Sequence, residues 1–545
     1  MTAPNPSTAL ARVVLDEMAS CGVEVVVVSP GSRSAALAIA AAAHPDLETR
    51  VVVDERSAAF HALGVGKATR RPAAVIATSG TAPANHFPAV VEADMACVPL
   101  FVISADRPAE LRGVGANQTI DQMDLFGAKV RAFAAIEAPD AATDGNESWR
   151  HTVRGLFVEA TGRRPGPVHL NVAFREPTVP VGDDGRAHSE PYPHATPRIG
   201  NPVTTTDPPG SPLPALAASR GLVIAGDGEY DRVALLDAAE SVGWPVLATA
   251  LSGMRGSGAL GDYHHLLASG LPEQLLPDTV VAVGAIGPSP RLEDLVAKAS
   301  HRVRIDSWGR HIDPQRNATQ ILSGDPVTLI RSVAGAEDAA WRQGWVAADA
   351  ESGRLRRAVL LEGASMTGAA VAASCDEIVW GALVVGSSLP IREVEAHVQR
   401  AGPVFANRGA SGIDGFVSTA LGVASVIPRT LAVAGDLTFL HDGNGFVVDT
   451  DIDLTAIVID NHGGGLFDNL PQRRHAPDFE RLFITPSRRD MAALARFHGA
   501  RVEIVDRPGD LVSAVEAGLG WDGVDVVVAQ VNREVDLAQR RQLGG

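Results

Sequence analysis

Two short segments in the C-terminal third of this chain carry side chains that could hold a metal-bridged polyanion. The apolar run TLAVAGD ends in Gly435-Asp436, and TAIVID ends in Asp460-Asn461, followed by His462 and glycines at 463–465. Each pair falls where a parallel strand should give way to a loop. A carboxylate and an amide oxygen at neighbouring strand ends can share one hard divalent cation, with a backbone carbonyl as a third ligand. The glycines would let a polyanion approach the main chain closely. The chemistry indicated is a site for a metal-bridged diphosphate. A Gly-Asp at a strand end is weak by itself, because aspartate commonly caps the helix that follows. The chain supplies its own control in Gly226-Asp227-Gly228, which also follows an apolar run but has no asparagine after it until Asn317. Asp227 therefore reads as a structural turn, and Asp436 with Asn461 as a site.

Other candidates lie at similar strand ends. Arg33 (PGSRS), Arg107 (SADRP), Arg392 (SSLPIRE) and Arg408 (ANRGAS) all sit at or just after expected carboxyl ends of strands, in a chain of net charge −17. Four arginines so placed suit bidentate grips on carboxylates. Asn117 and Gln118 add neutral amide donors in a loop. Glu55 closes the run TRVVVDE, either as a solvated acidic turn or as a partly buried carboxylate that hydrogen-bonds a ring nitrogen. In the second case burial would raise its pKa and suit it to proton shuttling. Thr78-Ser79-Gly80 could cap the helix after them. The glycine-rich loop Asn407–Gly415 reads as main chain approaching a ligand closely. The histidines form no metal constellation, since His264 and His265 are adjacent and HExxH is absent.

The elements that must position these residues read as an α/β protein. Strands are expected at 23–29, 49–55, 73–79, 98–104 and 166–172, then at 221–226, 245–250, 279–284 and 301–306. A third group is expected at 382–387, 402–408, 429–435, 454–460, 501–505 and 525–531. Helices are expected between them, at 35–43, 58–68 and 82–96 in the first group. Such alternation implies right-handed βαβ units and parallel sheets, with ligands beyond the carboxyl ends of the strands. The expected layout is three consecutive domains with parallel sheets flanked by helices, at 1–180, 216–335 and 366–545. A proline-rich linker at 181–215 and a helical linker at 336–365 join them.

Composition narrows the class further. At 545 residues the chain exceeds one hydrophobic core. Its charge of −17 argues against nucleic acid and anionic membranes as partners. Cys21, Cys97 and Cys375 are far apart and lack CxxC spacing, which suits a reducing cytosol. The N-terminus lacks the pattern of a secretory leader, and no apolar run reaches the roughly 18 residues of a membrane span. A soluble, cytoplasmic protein is expected.

Taken together, several segments resemble a known family. SPGSRS, DERSAAFHALG, TSGTAPAN, SADRPAELRGVGANQTIDQ, NRGASGIDG, GDLTFLHD and NHGGGLFDNLP resemble the 2-succinyl-5-enolpyruvyl-6-hydroxy-3-cyclohexene-1-carboxylate synthases of menaquinone biosynthesis. These belong to the thiamine diphosphate decarboxylase and synthase superfamily. Leu437 stands where the superfamily usually has Gly, and Asp460 where it usually has Asn. The resemblance implies pyrimidine-binding, central and diphosphate-binding domains. It implies Mg²⁺, with Mn²⁺ as a substitute, on Asp436, Asn461 and the Gly463 carbonyl, and Glu55 on the pyrimidine ring. Further cofactor contacts are implied for Thr78, Ser79, Gly80, Ser388, Gly412, Ile413, Gly435, Leu437, Thr438 and Gly464. The implied reaction is decarboxylation of 2-oxoglutarate and 1,4-addition of the succinyl semialdehyde carbanion to isochorismate. Ser32, Arg33, Arg107, Asn117, Gln118, Arg392 and Arg408 would hold the two dicarboxylates, and Phe467 and Leu470 would form an apolar wall. A homodimer or homotetramer with active sites at the subunit interface is also implied. Two other readings stand beside this one: another thiamine diphosphate-dependent 2-oxoacid decarboxylase or acetolactate-synthase-like enzyme, and a non-catalytic nucleotide-binding α/β protein. The four arginines argue against monocarboxylate substrates, and Gly226-Asp227-Gly228 lacks both a GxGxxG fingerprint and an acid at the right distance, which argues against the nucleotide reading.

Overall fold

The computed structural model describes residues 5–544 except 141–145, 181–215, 217, 288, 335–336, 363–364, 449–451 and 476. The expected proline-rich linker thus lies outside the described residues. Three sheets are present, and every strand pairing within them is parallel. The first contains β1 (Val25–Val28), β2 (Glu48–Val51), β3 (Ala73–Ala77), β4 (Leu100–Asp106), β5 (Phe133–Ile136) and β6 (Pro167–Ala173). The second contains β7 (Gly221–Ala225), β8 (Val246–Ala248), β9 (Thr279–Val283), β10 (His301–Asp306) and β11 (Gln320–Ser323). The third contains β12 (Ala382–Val385), β13 (Val404–Ala406), β14 (Thr430–Gly435), β15 (Leu454–Asp460), β16 (Arg501–Val505) and β17 (Val524–Gln530).

The first sheet has the order β2-β1-β3-β4-β6-β5 and the third the order β13-β12-β14-β15-β17-β16. Counted within each sheet, these are the same topology. The strand order reverses direction between the first and third strands, so the loops after β1, β3, β12 and β14 flank the switch points where α/β sheets bind ligands. Central strands are buried on both faces, as parallel sheets require. In the first sheet Val26, Val28, Ile76 and Ile103 face one core, and Val25, Val27, Val75 and Val102 face the other. The second sheet divides the same way, Val223 and Val281 against Leu222 and Val280.

By contact the chain forms two compact units, Met1–Thr205 with Asn407–Ile427 and His441–Ile452, and Thr206–Ala406 with Pro428–Leu440 and Asp453–Gly545. The first sheet belongs to one unit, and the second and third sheets to the other. Strands β5 and β11 have no counterpart in the sequence reading. Both are short edge strands, half-exposed, with no long apolar run to mark them. The charged, alanine-rich stretch after the second sheet forms the helix Ala339–Glu362. Among the described residues, no helix is long and apolar enough to cross a membrane.

Candidate active site

In the first unit, the loops after β1, β3 and β4 bring Arg33, Ser79, Arg107 and Gln118 together. The Ser79 hydroxyl donates to the Gln118 carbonyl (3.0 Å) and the Gln118 amide donates back to the Ser79 carbonyl (3.0 Å). Arg107 donates to the Ser79 hydroxyl and to the Gln118 carbonyl. Arg33 donates to the Phe174 carbonyl at 2.9 Å and pairs with Glu176 at 3.2 Å. Burial lowers the pKa of Arg107, and repulsion from Arg33 lowers it further, so two cations share this edge. Ser32 and Asn117 are exposed beside them, and Gln118 adopts φ 52°.

Beneath this edge lies a buried polar layer that sequence reasoning missed. Gln122 accepts from the Gly80 amide (3.0 Å) and donates to Asn171 (2.9 Å). Asn171 donates to Asp106 (2.9 Å), which caps the Arg107 amide (2.7 Å) and pairs with Arg112 (3.3 Å). The available signal was polar residues inside apolar strands, Ser104 in VPLFVIS and Asn171 in GPVHLNV. Buried polar groups persist only when hydrogen-bonded, so such positions mark a network.

Glu55 departs from its expected place. The strand stops at Val51, and Glu55 is the half-buried first residue of the helix Glu55–Thr69. The cause is Asp54, whose carboxylate accepts from the Arg56 and Ser57 amides as an N-cap. This turn is anchored by residues nearly 400 positions away. Asn444 donates to Asp54 (2.9 Å), Arg56 donates to the His441 carbonyl (3.0 Å), and Arg56 pairs with Asp442 (3.6 Å). Asp442 in turn accepts from the amide and hydroxyl of Ser418, both at 2.8 Å. No sequence signal linked these positions.

The glycine-rich loop 407–415 also answers to packing. A Cβ on Gly415 would lie 1.9 Å from the Phe60 ring, and one on Gly409 would lie 2.7 Å from the Glu92 carbonyl. Packing within the unit therefore accounts for two of its glycines. The loop is gripped by buried Glu92, whose carboxylate accepts from the Gly409 (3.0 Å) and Ala410 (2.7 Å) amides and pairs with Lys67 (3.0 Å). Arg408, Gly412 and Ile413 are half-buried in this loop.

In the second unit, Asp436 begins the helix Asp436–His441 directly after β14. The β14–β15 register pairs Gly435 with Ile459, which brings Asp436 alongside Asp460 and places Asn461 one residue beyond. Asp436 is 1% exposed. One of its oxygens accepts from the Leu437 amide at 2.7 Å; the other, Oδ2, is buried without a hydrogen-bond partner. The side-chain oxygen of Asn461 is likewise buried without a partner. Burial pushes the Asp436 carboxyl up to about 7, with a further rise from Asp460 and opposing pulls from the Leu437 and Gly463 amides. Two orphaned oxygens at adjacent strand ends, one of them a reluctant carboxylate, fit a hard cation, because an unmet buried acceptor is costly until something coordinates it.

The glycines after Asn461 answer first to their own unit. A Cβ on Gly463 would lie 2.3 Å from the Ile484 carbonyl, and one on Gly464 would lie 2.6 Å from the Phe483 carbonyl. Gly463 adopts φ 143° and His462 φ 60°, which turns the chain sharply; the Gly463 carbonyl accepts from the Gly465 amide at 2.9 Å. Phe467 packs on Phe483 with ring centroids 5.5 Å apart, and Leu470 is half-buried nearby in sequence. At the other switch-point loop, Ser388 adopts φ 77° and starts the helix Leu389–His397. Arg392, one turn in, is exposed and donates to the Ser388 carbonyl. Thr438 is buried and Leu437 half-buried. The control turn at Asp227 is closed on Ala285 by two backbone hydrogen bonds (2.8 and 2.9 Å), which gives Gly226–Gly228 a structural role.

This pair of identically ordered sheets, with cation-seeking oxygens at one switch point, belongs to the thiamine pyrophosphate enzymes. The chain matches the N-terminal TPP binding domain of thiamine pyrophosphate enzymes over residues 8–125 and their C-terminal TPP binding domain over 394–529. Within that class several similar curated proteins share one name. A 2-succinyl-5-enolpyruvyl-6-hydroxy-3-cyclohexene-1-carboxylate synthase of Thermobifida fusca is 39% identical over 99% of this chain and 98% of its own length. Enzymes of the same name from Halobacterium salinarum and Listeria monocytogenes are 37% and 33% identical, over 100% and 97% of this chain and 98% and 95% of their own. The chain belongs to this synthase family.

Proposed function

We propose that this protein catalyses the thiamine diphosphate-dependent decarboxylation of 2-oxoglutarate and transfers the resulting succinyl semialdehyde unit to isochorismate. The products are CO₂ and 2-succinyl-5-enolpyruvyl-6-hydroxy-3-cyclohexene-1-carboxylate, a step of menaquinone biosynthesis. The observation that carries the reading is the pair of buried, unpartnered oxygens on Asp436 and Asn461, at adjacent strand ends of a TPP binding domain.

Asp436, Asn461 and the Gly463 carbonyl would hold Mg²⁺, or Mn²⁺ in its place, against the diphosphate. When bound, thiamine diphosphate supplies an acidic thiazolium carbon and an electron sink for the departing carboxylate's electrons. Glu55 would hold a proton at the pyrimidine ring nitrogen, with Thr78, Ser79, Gly80, Ser388, Gly412, Gly435, Leu437, Thr438 and Gly464 as the remaining cofactor contacts. Ile413 would pack against the cofactor, and Phe467 and Leu470 would exclude water, which favours loss of a carboxylate's charge. Arg33 and Arg107, with Ser32, Asn117 and Gln118, form a cationic edge suited to carboxylates, and Arg392 and Arg408 would add further cations for the substrates. Both substrates are dicarboxylates, which gives the arginines a purpose in a chain of net charge −17.

The proposed domains are 1–180 for the pyrimidine, 216–335 as a central domain and 366–545 for the diphosphate. The family resemblance supports a cytoplasmic homodimer or homotetramer, with Glu55 of one subunit and Asp436 and Asn461 of another serving one cofactor. Incubation with thiamine diphosphate, Mg²⁺, 2-oxoglutarate and isochorismate, followed by CO₂ release and product mass, tests the reaction. The expected adduct retains the enolpyruvyl group. Faster CO₂ release from pyruvate than from 2-oxoglutarate would transfer the chain to the acetolactate-synthase-like alternative.

A further inference from the structure

The helix Leu389–His397 ends in an unusually complete socket. A helix leaves its last four carbonyls without intrahelical donors, and these are normally met by water or by a glycine cap. Here side chains from outside the third sheet's domain reach them, beside the Val398 amide, which donates to the Val394 carbonyl (3.1 Å). Arg255, in the loop after β8, donates to the carbonyls of Val394 (3.0 Å), Glu395 (2.6 Å) and Val398. His265 Nε2 lies 3.1 Å from the Ala396 carbonyl, and Arg356 of the helix Ala339–Glu362 donates to the His397 carbonyl (3.0 Å). The lock is reciprocal, because the Glu395 carboxylate accepts from the Ala250 amide (2.8 Å) and the Tyr263 hydroxyl. Arg255, Glu395 and Tyr263 are each at most 4% exposed. Cationic groups at this end also complement the negative pole of the helix.

The opposite end of the same helix is strained. Ser388 is held at φ 77°, ψ −128°, a conformation unfavourable for a residue with a side chain that persists only when the surroundings impose it. Arg392 lies one turn further in. We propose that Arg255, with Glu395 and Tyr263, acts as a positioning device: by fixing the C-terminal end of this helix, the middle domain sets the placement of Ser388 and Arg392. This gives the β7–β11 domain, which supplies none of the proposed cofactor or substrate contacts, a part in the reaction. The inference rests on the reading of Arg392 as a substrate grip.

The test is Arg255→Lys, which keeps the charge but cannot reach three carbonyls, made in wild-type and Arg392→Ala backgrounds. Steady-state kinetics with 2-oxoglutarate and amide hydrogen exchange over 386–394 are read together. Arg255→Lys is expected to raise KM about tenfold with kcat within about threefold, as for loss of uniform binding. It is expected to add nothing to the KM of Arg392→Ala and to speed exchange at 386–394. Tyr263→Phe, which removes one hydroxyl and keeps the ring, should do the same more weakly and serves if the lysine variant does not fold. Leu295→Ala, a core cavity in the same domain, should leave KM unchanged. Unaltered exchange at 386–394, or a KM rise that is additive with Arg392→Ala, overturns the proposal. If Arg392→Ala itself leaves KM unchanged, the substrate reading of Arg392 falls, and exchange alone judges the socket.

Discussion

The first and third sheets share one strand order but carry opposite charge at their switch points. Position for position, the loop after the third strand presents Thr78 in one and Asp436 in the other. The end of the fourth strand presents Asp106 and Arg107 in one, Asp460 and Asn461 in the other. In the first sheet the carboxylate of Asp106 is consumed by Asn171, Arg112 and a backbone amide, which leaves Arg107, and Arg33 with its partner Glu176, as the edge's charge. In the third, Asp436 and Asn461 each keep a buried oxygen without a hydrogen-bond partner among the described residues. One edge is finished by its own hydrogen bonds and offers cations to a ligand, whereas the other is left incomplete for a cation. Topology places a site in an α/β sheet; whether the polar groups there are satisfied decides what it can bind.

The sharpest way to break this comparison is Glu55→Gln, which belongs to neither edge. Its circular dichroism and melting temperature should match wild type, while 2-oxoglutarate decarboxylation falls by at least about 10²-fold, the scale of a lost acid–base group. Near-normal turnover would remove Glu55 from the chemistry.

Next in size is Asp436. Asp436→Ala should abolish Mg²⁺-dependent thiamine diphosphate binding by calorimetry, and unchanged affinity would refute the metal role. The pH dependence sharpens this. The folded carboxyl sits near 7, above its ordinary value of 3.8, so the stability it contributes is complete below that ordinary value and lost as pH rises through about 7. Asp436→Asn should therefore raise the melting temperature of the metal-free protein at pH 8 and leave it unchanged near pH 4. Saturating Mg²⁺ with cofactor should stabilise only the wild type.

On the cationic edge, Arg107→Ala should raise the KM for 2-oxoglutarate roughly tenfold to a hundredfold, the worth of one charge-assisted grip, without touching Mg²⁺ affinity. An effect on metal affinity instead would erase the division of labour between the sheets. The smallest contrast is between two glycines of the anionic edge. Gly463→Ala forces a Cβ to 2.3 Å from the Ile484 carbonyl at φ 143°, and should cost about 1–3 kcal/mol in chemical denaturation. Gly435→Ala meets nothing within 4 Å and should cost well under about 1 kcal/mol.

Much of this was legible because parallel strands advertise themselves. Buried on both faces, β3, β4, β14 and β15 are near-continuous apolar runs, and the residue types at their ends are then exposed to view. Edge strands β5 and β11 went unseen because a half-exposed strand needs no such run. The loop glycines carry a second constraint of another kind. Gly409, Gly415, Gly463 and Gly464 are each also fitted around a neighbour distant in sequence, which spacing cannot report.

By itself the sequence determined the α/β class, the strand ends that carry Asp436, Asn461 and the arginines, and the structural reading of Asp227. All of these follow from local periodicity and from residue types beside it. Only the tertiary structure decided that Asp54 turns Glu55 into a helix start anchored by Asn444 and Asp442, that Glu92 grips the glycine loop, and that Arg255, beside a strand of the second sheet, caps a helix that follows a strand of the third. Those facts depend on which buried polar groups find partners across hundreds of residues, and hydrogen-bond satisfaction is a property of the packed chain rather than of any segment.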